Sequence, residues 1–232
     1  MDINKMLPIT AVDIPRSMWI CVALWLTMYT ISYLQNNATN KDHFNIPFIS
    51  NIHTLIGLIL AVRSICTDQN DFDDNAITPE MTLISWSTGY FAADFIDCVV
   101  RKDKIFIGHA IVGMSLIRSV SISPFYELKA GSYGFVVESS NIWFNYWKKT
   151  KTKRDFRNFL LSFFLVRIVY TPIFLRWMNG DGRIGDEKGN ILGNRLTLIG
   201  SLSFYLLNSV WFYKGCQMYL NYDENKVEKK ES

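Results

Sequence analysis

Cysteine is scarce and scattered. Cys21, Cys66, Cys98 and Cys216 are the only four in 232 residues, they follow no metal-ligand spacing, and at least two lie inside apolar runs. Neither a zinc module nor a disulfide framework is indicated, and Cys216 reads as an inert thiol more readily than as a palmitoyl acceptor. There is no Gly-Lys-Ser phosphate loop and no internal repeat. The one glycine-rich stretch, "NGDGRIGDEKGN", puts Arg183 where a calcium loop needs an oxygen ligand, and so reads as a turn. The first apolar run follows about seventeen residues that contain Asp2, Asp13 and Pro15 and lack the compact basic start and small-residue cleavage site of a signal peptide. That run is expected to remain as a signal anchor. No metal and no cofactor is expected.

What the chain does have is apolar and aromatic length, 49% hydrophobic and 15% aromatic residues. Mean hydropathy is barely positive, because charge is packed into blocks such as "KKTKTKRDFR" and "DENKVEKKES". Between the blocks, seven runs approach the roughly 20 residues needed to cross a ~30 Å hydrocarbon core. They lie near Met18 to Leu34, Ile46 to Val62, Met81 to Val100, Ile105 to Ile122, Gly131 to Trp147, Phe159 to Met178 and Ile191 to Tyr213. Trp147, Trp177 and Tyr213 at their ends suit the headgroup region. In "FLLSFFLVRIVYTPIFL" apolar residues continue all the way round a helix, and Pro172 predicts a kink within it. The expected fold is all-α, a polytopic membrane bundle of six or seven transmembrane helices around a polar interior cavity.

Loop charge sets the orientation. With seven spans, the loops carrying "RKDK" and "KKTKTKRDFR" and the C-terminal tail fall on one side, opposite "TDQNDFDDN" and the glycine-rich loop. The basic side is expected to be cytosolic, with the N-terminus lumenal or external. The sequon at Asn37 then lies in the cytosol and carries no glycan. The basic block at 148–157 abuts a span, which fits anionic lipid headgroups rather than nucleic acid.

The informative residues are polar groups inside the spans, where an Asp or Arg near the centre costs about 2.5–3.5 kcal/mol on insertion scales. Asp94 and Asp97 in "GYFAADFIDCVV" share one helix face with Tyr90. Glu138, Asn141 and Asn145 form a second stripe at i, i+3, i+7. His53, His109, Arg167 and Asn208 each stand alone in apolar surroundings. Turning these faces to a common interior lets carboxylates pair with Arg167 or with the imidazoles. The plainer reading of each is structural: satisfied interior histidines, a Glu138–Arg167 ion pair, and asparagines that join helices.

The order of these pieces resembles the TLC domain, shared by ceramide synthases and their non-synthase relatives. It runs as a histidine in the second run, "GYF..D..D", a "KD" loop before a histidine-bearing run, "E.S....N", "R....P" and a final "N..WF". The resemblance implies a helical bundle with a lipid-accessible cavity in endoplasmic-reticulum-type membranes. In the synthases it implies acyl transfer from acyl-CoA to a sphingoid base. The synthases have a His-His pair where this chain has Gly108-His109, and an Asp-Asp pair where "GSYGFVVESS" has none. Asn141, Ile142 and Trp147 also stand where Thr, Pro and Arg are common in the non-synthase branch. The resemblance is therefore to a divergent non-synthase member, a multi-pass protein with a lipid-binding or lipid-handling role in membrane lipid homeostasis.

The alternative is an N-acyltransferase of ceramide synthase type, with His109, Asp94, Asp97 and Glu138 as catalytic candidates. The expected partner is a membrane lipid, with acyl-CoA and a sphingoid base as partners under the alternative; oligomeric state is left open. A transporter is disfavoured by the lack of inverted repeats. The expected organisation is residues 1–44 with the first helix, a TLC domain over 45–213, and a cytosolic tail over 214–232. A bias to Asn, Ile and Lys is common in AT-rich genomes such as those of protists and giant viruses, and for a viral source the membrane would be a host's.

The tail ends "KVEKKES", with Lys229 and Lys230 fourth and third from the C-terminus, as in dilysine retrieval signals to the endoplasmic reticulum. Changing both lysines to serine in a tagged protein is expected to release it to the Golgi or cell surface, read by microscopy. Unchanged distribution would remove the signal.

Overall fold

The computed structural model describes residues 16–39, 46–67, 78–102, 104–121, 125–126, 128–179 and 191–222. Lys229, Lys230, Arg183 and the acidic stretch at 68–77 lie outside them, as does the side chain of Asn37. Among the described residues the chain is all helical. Its elements are α1 (Arg16–Thr39), α2 (Ile46–Cys66), α3 (Pro79–Val100), α4 (Lys104–Val120), α5 (Ala130–Phe135), α6 (Ser140–Thr150), α7 (Lys153–Phe163), α8 (Tyr170–Asn179) and α9 (Ile191–Leu220). A 3₁₀ turn, Val136–Ser139, joins α5 to α6, and a π turn, Phe164–Val169, joins α7 to α8. The seven apolar runs thus become seven rods, two of them broken in the middle.

Local chemistry sets the ends. Thr78 caps α3 by accepting from the Met81 amide at 3.1 Å, with Pro79 at the first helical position. The basic block is not the long loop its charge suggested. Thr152 accepts from the Asp155 amide at 3.1 Å and starts α7 at once, so only Lys151 and Thr152 separate α6 from α7. Lys151 closes α6 in the left-handed conformation, φ 52°. The break in the sixth rod is not at Pro172 but just before it. Proline denies an amide to the turn behind it, and the extra residue of the π turn absorbs the mismatch.

Six rods close a ring. α2 packs on α3, α3 on α4, α4 on α9, α9 on α7 and the π turn, α7 on α6, and α5 and α6 back on α2. α1 stands outside this ring against α3. Gly89 permits that contact, since a methyl group there would stand 2.7 Å from the Cys21 carbonyl carbon. The Trp25 indole donates to the Trp86 carbonyl at 3.1 Å, and the Trp86 indole donates to the His53 carbonyl at 3.3 Å, tying α1, α3 and α2 together. At the start of α3, Glu80 is fully buried and gathers three elements. It accepts from Ser64 on α2 at 2.9 Å, and from the Ser132 amide at 3.2 Å and the Ser132 hydroxyl on α5.

The distribution of polarity is the reverse of a water-soluble core. Arg167 is 1% exposed and Glu138 6%, whereas Ile59 is 67% and Leu206 65% exposed. A contiguous aliphatic exterior of this kind would aggregate in water and is at home in hydrocarbon. Phe48–Cys66 and Lys153–Met178 are long and apolar enough to cross a membrane; Met18–Leu34 and Phe106–Val120 are shorter apolar helices. α3 falls short of that measure because its inward face is polar, with Glu80, Ser85, Ser87 and Asp94, and the fifth rod because the 3₁₀ turn divides it. Replacing Gly89 by valine is expected to push α1 off α3 and to lower thermal stability in detergent by about 1–3 kcal/mol, measured by unfolding of the purified protein.

Candidate functional site

Arg167 sits in the π turn, where the additional residue turns its side chain into the bundle. Four hydrogen bonds meet the guanidinium fork. Nε donates to Ser140 Oγ at 2.9 Å, Nη1 to Asn208 Oδ1 at 3.1 Å, and Nη2 to Glu138 Oε1 at 3.3 Å and Asn141 Oδ1 at 3.1 Å. Asn141 Nδ2 in turn donates to Glu138 Oε2 at 2.5 Å, and Asn208 Nδ2 to the Phe204 carbonyl at 2.9 Å. Glu138 at the 3₁₀ turn and Asn141, three residues on in α6, fall on one side, which lets one arginine reach both. The rings of Phe163 and Phe204 lie 5.2 and 5.8 Å from the guanidinium carbon.

This network borders a cavity of about 310 Å³. Of the nine residues expected to share one interior, six line it: Asp94, His109, Glu138, Asn141, Asn145 and Arg167. Asn208 touches it only through Arg167. His53 lies behind Tyr90, their rings stacked at 3.8 Å, with Nε2 3.4 Å from Ser87 Oγ. Asp97 departs from the shared interior. Near the end of α3 it meets Arg101 one turn on, with Nη2 at 2.5 Å and Nε at 2.7 Å, and this ion pair holds it out of the cavity lining. Neither imidazole pairs with a carboxylate among the described residues, since Glu138 is taken by Arg167 and Asp94 by Tyr29.

A second, apolar slot of about 120 Å³ continues the first. Phe91, His109 and Glu138 line both and form the partition. Polarity falls along this axis. Arg101, capping α3, and Lys148, in the last turn of α6, line the outer part of the cavity. Leu116, Phe174 and Met178 line the slot, which ends near Val120, Ala130 and Met178 at the opposite helix ends. His109 stands at the junction among Phe91, Phe106 and Trp211, with ring centroids at 6.0, 6.5 and 5.2 Å. Its Nδ1 is buried with no hydrogen-bond partner among the described residues. Asp94, Asp97 and Cys98 have ligand atoms within 4.8 Å of one another; Arg101 pairs with Asp97, and Tyr29 meets only Oδ1 of Asp94.

The family model described as TLC domain matches residues 43–217, which take in the whole ring from α2 to most of α9. The chain belongs to the TLC-domain family. It is therefore a membrane protein of a family concerned with lipids. No curated protein and no solved structure matches it. The TLC domain begins beyond α1, yet Tyr29 of α1 donates to Asp94 Oδ1 at 3.1 Å, so a helix outside the matched region touches the site.

Tyr29, Ser140 and Arg101 were not singled out in the sequence. Arg101 was legible as the i+4 partner of Asp97; Ser140 and Tyr29 acquire a role only through tertiary contacts. Removing either partner of the buried pair, with Arg167→Met or Glu138→Gln, is expected to cost about 3–5 kcal/mol. The double variant should lose clearly less than the sum, as thermal unfolding in detergent would show.

Proposed function

We propose that this protein is a multi-pass lipid-binding protein that takes a membrane lipid into the bundle, headgroup in the polar cavity and one hydrocarbon chain in the apolar slot, and serves membrane lipid homeostasis. The observation that carries the reading is the shared partition. Phe91, His109 and Glu138 belong to both spaces, so an amphiphile with a polar end and an apolar end fits where neither a polar solute nor a hydrocarbon alone would. Acyl transfer from acyl-CoA to a sphingoid base is supported less well. A base must be oriented to take the amine proton, and among the described residues no acid holds His109. The same reading puts the end bearing Arg101 and Lys148 in the cytosol, in keeping with loop charge, and the protein in the endoplasmic reticulum of its own cell or of a host.

Gly134 lines the slot, and a methyl group there meets only the Phe174 ring at 3.6 Å, so a larger side chain would project into the slot without a backbone clash. Gly134→Leu is expected to reduce co-purifying lipid several-fold, by native mass spectrometry, with the melting temperature little changed. Undiminished lipid in that variant would remove the slot from the binding site.

A further inference from the structure

The polar cavity carries five ionised side chains, and four are accounted for within the protein or stand at its rim. Glu138 and Arg167 neutralise each other, Arg101 is joined to Asp97, and the Lys148 ammonium lies 4.3 Å over the Phe144 ring near the end of α6. Asp94 is different. It is buried, it lines the cavity, and it makes no ion pair among the described residues; its hydrogen bond comes from a neutral phenol, Tyr29. A carboxylate in such surroundings is costly unless a cation reaches it. The rings of Tyr90 and Phe91 line the same wall, a lining that favours a cation over an anion.

We infer that Asp94 is the subsite for the ammonium group of a lipid headgroup, and that Tyr29, from the helix outside the TLC domain, is the positioning residue that aims it. The inference rests on the lipid-binding reading and narrows it to lipids whose headgroup bears a protonated amine. Tyr29 occupies one carboxylate oxygen, Oδ1, and leaves Oδ2 for the guest. A bare anionic headgroup would set its charge against Asp94, and a neutral one would leave the carboxylate uncompensated.

The test offers the purified full chain three phospholipids with identical chains, phosphatidylethanolamine, phosphatidylcholine and phosphatidylglycerol, and measures retention by native mass spectrometry. The wild type is expected to hold phosphatidylethanolamine over phosphatidylglycerol by at least about tenfold, since loss of one partner of a buried charge pair is expensive. Phosphatidylcholine, which has the charge without N–H donors, should fall between them. Asp94→Asn should bring the ratio near one while total lipid persists. Tyr29→Phe keeps the ring, so it should lower the ratio by a smaller factor at an unchanged melting temperature, and should add nothing in the Asp94→Asn background. That non-additivity is what a merely structural tyrosine would not produce, and the Tyr29 variant remains informative if the Asp94 variant does not fold. Equal retention of the three lipids by the wild type, or a ratio left unchanged by Asp94→Asn or by Tyr29→Phe, would overturn the inference and leave lipid binding standing. Failure to retain any lipid would overturn both.

Discussion

A guanidinium buried in the middle of a membrane protein has to be met on every side, and Arg167 meets this demand by drawing three elements to the π turn. Glu138 and Asn141 come from the 3₁₀ turn and α6, Ser140 from the start of α6, and Asn208 from α9. Each of those contacts fixes the rotation of a rod about its own axis, because a polar group that turned outward would face hydrocarbon. Two departures from regular helix are tied to the same point. The π turn supplies Arg167, and the 3₁₀ turn supplies Glu138. Irregular backbone of this kind is tolerated at membrane depth where it is buried in protein or lines a cavity, and both turns do so here.

The cavity follows from that constraint. Rods joined through a central polar knot and spread by Phe91, Phe106, Phe163 and Trp211 cannot close completely, and the space left beside the knot takes its polarity from whichever residues the rods present. Toward Arg101 and Lys148 these are ionic; toward Met178 they are aliphatic. The resulting gradient has the same form as the lipid it is proposed to hold. α1, which packs outside the ring through Gly89 and two tryptophans, adds a hydroxyl to Asp94 without adding to the ring itself.

Apolar run length alone was enough to read the seven rods, because hydrocarbon demands about the same length from each crossing. The polar residues in those runs were legible for the same reason: Arg167, Glu138, Asp94 and Asn145 are too costly to face lipid, so their inward direction followed from their identity. Their partners were not legible in the same way. Glu138 and Asn141 announce each other at i, i+3, and Asp97 and Arg101 at i, i+4, since helical geometry makes near neighbours of them. The short connection after α6 and the extended α7 were missed because a run of lysines and arginines hides the Thr152 cap inside it.

The sequence by itself determined that the chain is a helical membrane protein with an acid-rich and amide-rich interior, since transfer free energies act residue by residue. Only the tertiary structure decided which of these groups meet. Asp97 went to Arg101 at the helix end while Asp94 went to Tyr29, sixty-five residues away. His53 went behind Tyr90 while His109 came to the partition between the two spaces. These outcomes depend on the rotation and depth of each rod, which are set by contacts far apart in the chain such as Gly89 against Cys21 and Arg167 against Asn208. No local pattern encodes them, because the free energy that selects them exists only once the ring has closed.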